Sequence, residues 1–329
     1  MRMEYLKPHL SIPEQAKLLI ERGLEADASL LEKRLSDVGY YRFSAYLHPF
    51  RVRDCSGIIG NEFIPGTTLE KVWAHYLFDR RLRFLMLDAI ERIEVALRSR
   101  IAHLHTEGQS PFAYAQPTYF PHWKGYINCL DRVHIQRDRL GNVKQCGVDF
   151  IDHFFNKYGD KHDYLPLWMA VGVMDFGMVV YFYTHSRKKM QNRISAQWGV
   201  DAKTLYTWLT SLRVLRNDCA HHARIWNKTF LSVPRMNNTP FLPWDYVYSE
   251  KAHKWVKPTG ALTGAVSMMH TQSTIAPLIF ICRHLLKHVA PSSRWHIRMQ
   301  DFLHDSQRLG IPLHKMGLPE NWECHPLWK

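Results

Sequence analysis

"TTLEKVWAHYLFDRRLRFLMLDAIERIEVALRSRIAHLH" (67–105) is the stretch whose reading decides the fold. Thr67 and Glu70 have the spacing of a capping box, in which a hydroxyl and a carboxylate satisfy the first amides of a helix. Leu69, Trp73, Leu77, Leu82, Leu85, Ile90, Ile93 and Leu97 then recur at helical intervals, predicting one long helix that reaches about His105. Another side carries Arg80, Arg83, Glu91, Glu94 and Arg98, whose spacing keeps them roughly along one flank. Such a flank is either a solvated, salt-bridged face or a set of two carboxylates among three arginines that orients a site at a helix seam.

The same periodicity recurs nearly throughout. "SIPE" (11–14) reads as another capping box and opens an amphipathic helix that stops at Gly23. A second short helix is predicted over about 27–38, ending at Gly39. Further helices are expected near 147–158, 165–174, 176–190, 202–222, 271–289 and 293–308. Residues 110–145 read as irregular, and "VPRMNNTPFLPWDY" (233–246) has the Pro and Asn content of a loop. No strand-like alternation stands out, so the expected class is all-α.

The 329 residues are 46% hydrophobic and 13% aromatic, which predicts a real core and excludes global disorder. Formal net charge is +13, which points to a polyanionic partner such as RNA, DNA or an anionic membrane surface. Cys55, Cys129, Cys146, Cys219, Cys282 and Cys324 include no CxxC pair, as expected of reduced thiols in a cytoplasmic protein. The segment "LPLWMAVGVMDFGMVVYFYT" (165–184) nearly has the length and apolarity of a membrane span. Asp175 at its centre carries an insertion penalty of about 2.5–3.5 kcal/mol. "MDFG" therefore reads as a break between two buried helices, with Asp175 capping the second, and no membrane association is expected.

The polar end of one apolar helix stands apart: "RNDCAHHARIWN" (216–227) follows inward-facing Leu205, Trp208, Leu209, Leu212 and Leu215. Asn217 and His221 share a helical face, while Arg216 lies about 140° around from His221. The set converges poorly within one helix, and a second copy of the motif across a two-fold axis would complete it. Arg, Asn and His suit cleavage of RNA by its own 2′-hydroxyl. Histidine can take or give a proton near neutral pH. Arginine stays charged and grips phosphate oxygens, and asparagine can fix either group. This chemistry needs no metal and no cofactor.

Other arrangements carry less. "RHLLKH" (283–288) repeats the Arg-to-His spacing inside an apolar helix, where His284 and His288 read as packing residues or as a second site. Cys219, His221 and His222 lack a matching pair at zinc spacing. In "SRKKMQNR" (186–193), Lys188, Lys189 and Arg193 form a basic patch that either contacts RNA phosphates or is a solvated helix end. The aromatics of "YYRF" (40–43) stack bases or, more in keeping with their type, fill core.

"RNDCAHHARIWN" at the end of "LTSLRVLRN" resembles the RNxxxH motif of HEPN-domain ribonucleases. More particularly, the chain is similar to the AbiD/AbiF-type abortive-infection proteins of bacteria. The likeness extends over "GYYRFSAY" (39–46), "YLFDRRLRFLMLDAIERIEVALRSRI" (76–101), "LPLWMAVGVMDFG" (165–177) and "MGLPENWECHPLW" (316–328). The resemblance implies an all-α, HEPN-like bundle core over 61–230, with helical flanks at 1–60 and 231–329. It further implies a metal-independent endoribonuclease acting in phage defence or toxin-like growth arrest. By position, Arg216 would stabilise the phosphate, His221 would be the acid/base and Asn217 the positioning residue. Glu91 and Glu94 fall where such proteins keep polar residues facing the motif. His222 and Arg224 extend the basic cluster, or simply favour a helix C-terminus. Arg80, Arg83 and Arg98 join the expected RNA-binding set. A homodimer is implied, and a small structured RNA is an expected second partner beside the RNA substrate. The competing expectation is a HEPN-fold protein that binds RNA without cleaving it and acts by sequestration.

Overall fold

The computed structural model describes residues 4, 8–55, 57–116, 118–120, 122–123, 126, 130–131, 133–236, 247–249, 254–256, 273–318 and 322–328. Eleven α-helices stand among them, and the fold is mostly α, as the periodicity predicts. Two small antiparallel hairpins correct the expectation of no strands. They pair β1 (Arg51–Arg53) with β2 (Ile59–Phe63), and β3 (Val247–Ser249) with β4 (Lys254–Val256). Strands this short leave little room for an alternating pattern, and only Phe63 of β2 is buried. The loop reading of 237–246 lies outside the described residues.

The chain forms two compact units, 1–83 with 305–311 and 84–304 with 312–329. The division falls inside the long helix, α4 (Leu69–Thr106). Its observed cap is one residue later than the capping-box spacing suggests: the Thr68 hydroxyl accepts from the Lys71 amide at 3.2 Å. The Thr67 hydroxyl donates instead to the Ile64 carbonyl.

In the first unit, α1 (Ile12–Glu21), α2 (Ala28–Val38) and α3 (Tyr40–Leu47) gather around the start of α4. Their core includes Leu19, Leu31, Leu35, Phe43, Tyr46, Leu69 and Val72. The "YYRF" aromatics divide accordingly, with Phe43 buried and Tyr41 91% exposed. Leu77, expected inward, is 41% exposed. Among the buried polar side chains here is a triad. Tyr46 donates to Asp79 at 2.6 Å, and Arg83, one turn along α4, pairs with the same carboxylate and reaches the Tyr46 hydroxyl at 3.3 Å. Removing one partner of a buried pair strands the other charge. Asp79→Ala is therefore expected to destabilise the protein by about 3–5 kcal/mol, measured by denaturant unfolding. A loss within the range of ordinary surface substitutions would contradict this.

The second unit contains the rest of α4 together with α5 (Asp149–Tyr158), α6 (Leu167–Val173), α7 (Phe176–His185), α8 (Lys188–Ala196), α9 (Ala202–Ala220), α10 (Ala276–Val289) and most of α11 (Trp295–Arg308). The apolar run at 165–184 is broken as expected: Asp175 separates α6 from α7 and accepts the Met178 amide at 2.9 Å. Among the described residues, no helix is long and apolar enough to cross a membrane. The helix expected over 176–190 ends instead at His185, and α8 begins at Lys188. At the stop, Ser186 takes an extended backbone, and its hydroxyl turns back to the Phe182 carbonyl at 2.7 Å.

Helix α10 is buried continuously from Ala276 to Leu286, so Arg283 and His284 lie inside the protein, while His288, expected as a partly buried packing residue, is exposed. Arg283 donates through Nε to the Leu327 carbonyl, and the His284 Nε2 lies 2.8 Å from the Trp198 carbonyl. These groups bind backbone of neighbouring segments, including the C-terminal turns, where the Trp328 indole donates to the Trp322 carbonyl. Another buried histidine, His105, lies between the Tyr119 hydroxyl (2.8 Å from Nδ1) and the Ser186 hydroxyl (2.9 Å from Nε2). Since Ser186 gives its hydrogen to Phe182, Nε2 of His105 donates and Nδ1 accepts.

Candidate functional site

Helix α9 begins at Asp201, whose carboxylate accepts the Lys203 and Thr204 amides. Leu205, Trp208, Leu209, Leu212 and Leu215 are all fully buried. That apolar stripe lies against α7, α8 and α10, fixing the rotation and axial position of the helix. The polar residues of its last turn are positioned as a consequence.

The helix ends in a Schellman turn. The His222 amide donates to the Cys219 carbonyl at 3.1 Å, and the Ala223 amide to the Asp218 carbonyl at 2.8 Å. The left-handed residue such a turn requires is normally glycine, but here it is His222, with φ of 58°. A side chain in this conformation costs about 1–2 kcal/mol. Its neighbour His221 occupies the cap position, with its amide on the Asn217 carbonyl and its side chain exposed. Asn217 is exposed as well, and Asp218 pairs with Lys228 at 2.7 Å.

Arg216 points toward α4. Its Nε lies 4.0 Å from Glu94 Oε2, while Glu94 Oε1 receives Arg98 at 2.5 Å. Arg98 also donates to the Met174 carbonyl at 2.7 Å, joining α4 to the α6–α7 break. Glu94 is thus a buried carboxylate between two guanidinium groups. Burial pushes its carboxyl above the ordinary value; Arg98 and Arg216 oppose that shift, and nearby Asp175 adds to it. The result is an arginine at the end of α9 that faces, across 4.0 Å, a carboxylate from a different helix. Being about one-third exposed, the Arg216 side chain still reaches solvent.

The other expected residues are distributed more widely. Glu91 is exposed, one turn before Glu94, with no ion pair to Arg216 among the described residues. Arg83 presents no surface for RNA, because its guanidinium is buried in the Tyr46–Asp79 triad of the first unit, the unit that also holds Arg80. Lys188 and Lys189 are exposed in the first turn of α8, while Arg193 pairs with Glu107 at 2.5 Å. Arg224 is half-buried. Cys219 is buried, whereas His221 and His222 are exposed, and the described residues contain no cluster of three His, Cys, Asp or Glu able to hold a metal.

The spacing argument missed the Met174 carbonyl and the field of Asp175, both at the break between α6 and α7. "MDFG" marked that break but not what packs beside it.

The family of Abi-like proteins matches residues 33–227, more than half of the chain and all of the site just described. The chain belongs to the Abi-like protein family. That membership points to a role in abortive infection. No curated protein and no solved structure matches it. Within the Abi-like region lie α4, with Glu94 and Arg98, and the whole of α9 with its terminal Arg216, Asn217 and His221.

Proposed function

We propose that this Abi-like protein is an endoribonuclease of the HEPN type, acting in the cytoplasm in phage defence. The observation that carries the reading is the end of α9, where Arg216 faces buried Glu94 and stands five residues before exposed His221. In the proposed reaction the 2′-hydroxyl oxygen of a ribose attacks the adjacent phosphorus. Its proton passes to a basic group, the bond to the 5′ oxygen breaks, and that oxygen receives a proton. The products are a 2′,3′-cyclic phosphate and a 5′-hydroxyl. His221 serves as a proton-transfer group, and Arg216 neutralises the charge that develops on the phosphate oxygens. Asn217 positions the phosphate or the imidazole.

Two proton transfers call for two groups, and one α9 terminus offers one histidine at the motif position, His221, with exposed His222 as its neighbour. A homodimer that joins two termini across a two-fold axis supplies the second. The Arg/His chemistry requires no metal. The net charge of +13 suits an RNA substrate and also a small structured RNA that restrains or guides the enzyme.

Incubating purified protein with labelled RNA in excess EDTA tests the proposal. Endonucleolytic cleavage that persists with the metal removed is expected. Binding without cleavage, in protein freed of copurified RNA, would replace this reading with RNA sequestration.

A further inference from the structure

A cleft of about 620 Å³ runs along the seam between α4 and α6, within the size range of small-molecule and base-binding sites. Arg98, Ser99 and His103 of α4 face Trp168 and Gly172 of α6 across it, and no carboxylate lines it. Trp168 is 56% exposed, a large planar ring left open on an otherwise apolar seven-residue helix. Gly172 sits inside that helix, where glycine is unfavourable by about 1 kcal/mol. A Cβ at Gly172 would meet nothing within 4 Å, so close packing does not require the glycine, and its effect is to keep the cleft wide.

The cleft is continuous with the site at the end of α9 through one residue. Arg98 lines the cleft and also holds Glu94, the carboxylate that faces Arg216. The Arg98 Nε is buried without a hydrogen-bond partner. Along α4, Ser99 lies about 7–8 Å beyond Glu94, five residues at the helical rise. An open aromatic face, cationic and hydroxyl groups and no carboxylate together fit a nucleotide: a base on the ring and a phosphate toward the arginine.

We propose that this cleft is a base-binding subsite, in which an unpaired RNA base stacks on Trp168 and places the neighbouring phosphodiester toward Arg216 and His221. The assignment rests on the nuclease reading for its direction but not for its binding chemistry. A base within a duplex is already stacked, so the subsite selects single-stranded or looped RNA.

The test measures binding of a short single-stranded oligoribonucleotide, and of the same strand in a duplex, by full-length His221→Ala protein at fixed salt. Adding Trp168→Ala is expected to weaken single-strand binding about 10-fold, with Trp168→Phe recovering much of it and duplex binding unchanged. Gly172→Leu, which projects a side chain into the open cleft, is expected to weaken single-strand binding similarly while raising helix stability. Unchanged single-strand affinity in both Trp168→Ala and Gly172→Leu would overturn the subsite. So would a change of oligomeric state in these variants by sedimentation, which would make the cleft a contact between copies. Cleavage by the His221-containing protein is scored separately. A nuclease indifferent to Trp168 would remove the subsite alone, whereas Trp168-dependent binding without cleavage would remove the nuclease reading alone.

Discussion

Replacing His221 with alanine is expected to slow RNA cleavage by about 10²- to 10⁴-fold, the usual contribution of a positioned proton-transfer group. Its melting temperature should stay close to that of the parent protein. The side chain is exposed, and the turn that seats it is closed by the backbone of Cys219, His222, Asp218 and Ala223. Activity and stability therefore separate at this position. In a dimeric site both transfers are lost together, which places the effect toward the upper end of the range. Arg216→Ala should act differently. It removes the charge on the phosphate and leaves Glu94 with Arg98 as its remaining ion-pair partner, so a rate loss of about 10²–10³-fold is expected. Full activity in His221→Ala would move the chemistry elsewhere.

Acid should unfold this protein well above the pH at which carboxylates are protonated. His105 and His284 are each held down to about pKa 4, and His325 to about 3, in every case chiefly by burial. Positive neighbours add to this: Arg187 beside His105, His288 and Lys287 beside His284, and Lys287 beside His325. Against them, the hydrogen bond to the Trp198 carbonyl pulls the His284 value up. Below an unfolded pKa near 6.5, the unfolded chain takes up protons that the folded state refuses, so stability falls as pH falls. The loss runs from about pH 6.5 down to the folded values near 4 and 3. At pH 5 each histidine contributes a loss of about 2 kcal/mol relative to pH 7, and the three together about 6 kcal/mol. That is comparable with the whole stability of many proteins. The carboxylates with lowered values, such as Glu107 and Asp152, add to the loss only near and below their ordinary range of about 4, while Glu94, raised by burial, opposes part of it. Thermal melts at pH 7 and pH 5 should differ by on the order of 10 °C or more. His105→Gln should shrink that difference by about a third, even though it lowers stability at pH 7. Equal melting temperatures at the two pH values would contradict the account.

The parts of the fold set by local periodicity were legible in the sequence. The apolar spacing of 67–105 produced one helix, and Asp175 capped a new helix inside an apolar run. Long-range pairing was less visible. Arg83 and Glu94 lie on the same polar flank of α4 by spacing, yet Arg83 is sequestered by Tyr46 from another helix while Glu94 meets Arg216. No interval along α4 separates those two outcomes. The end of α9 carries no glycine to announce its turn, because His222 takes the left-handed position itself. The exposure of Trp168 was hidden for a related reason: it sits between Leu167 and Ala170, both buried, in a helix too short for a reliable period. Of the site, Arg216, Asn217 and His221 could be singled out by residue type. The Glu94–Arg98–Met174 linkage that Arg216 faces is a tertiary fact.

The most direct measurement is mass spectrometry of the RNA ends produced by the purified protein in excess EDTA. The Arg216/His221 site predicts 2′,3′-cyclic phosphates and 5′-hydroxyls, absent from a parallel His221→Ala reaction. Products ending in 3′-hydroxyls and 5′-phosphates, or no products from protein stripped of bound RNA, would contradict it.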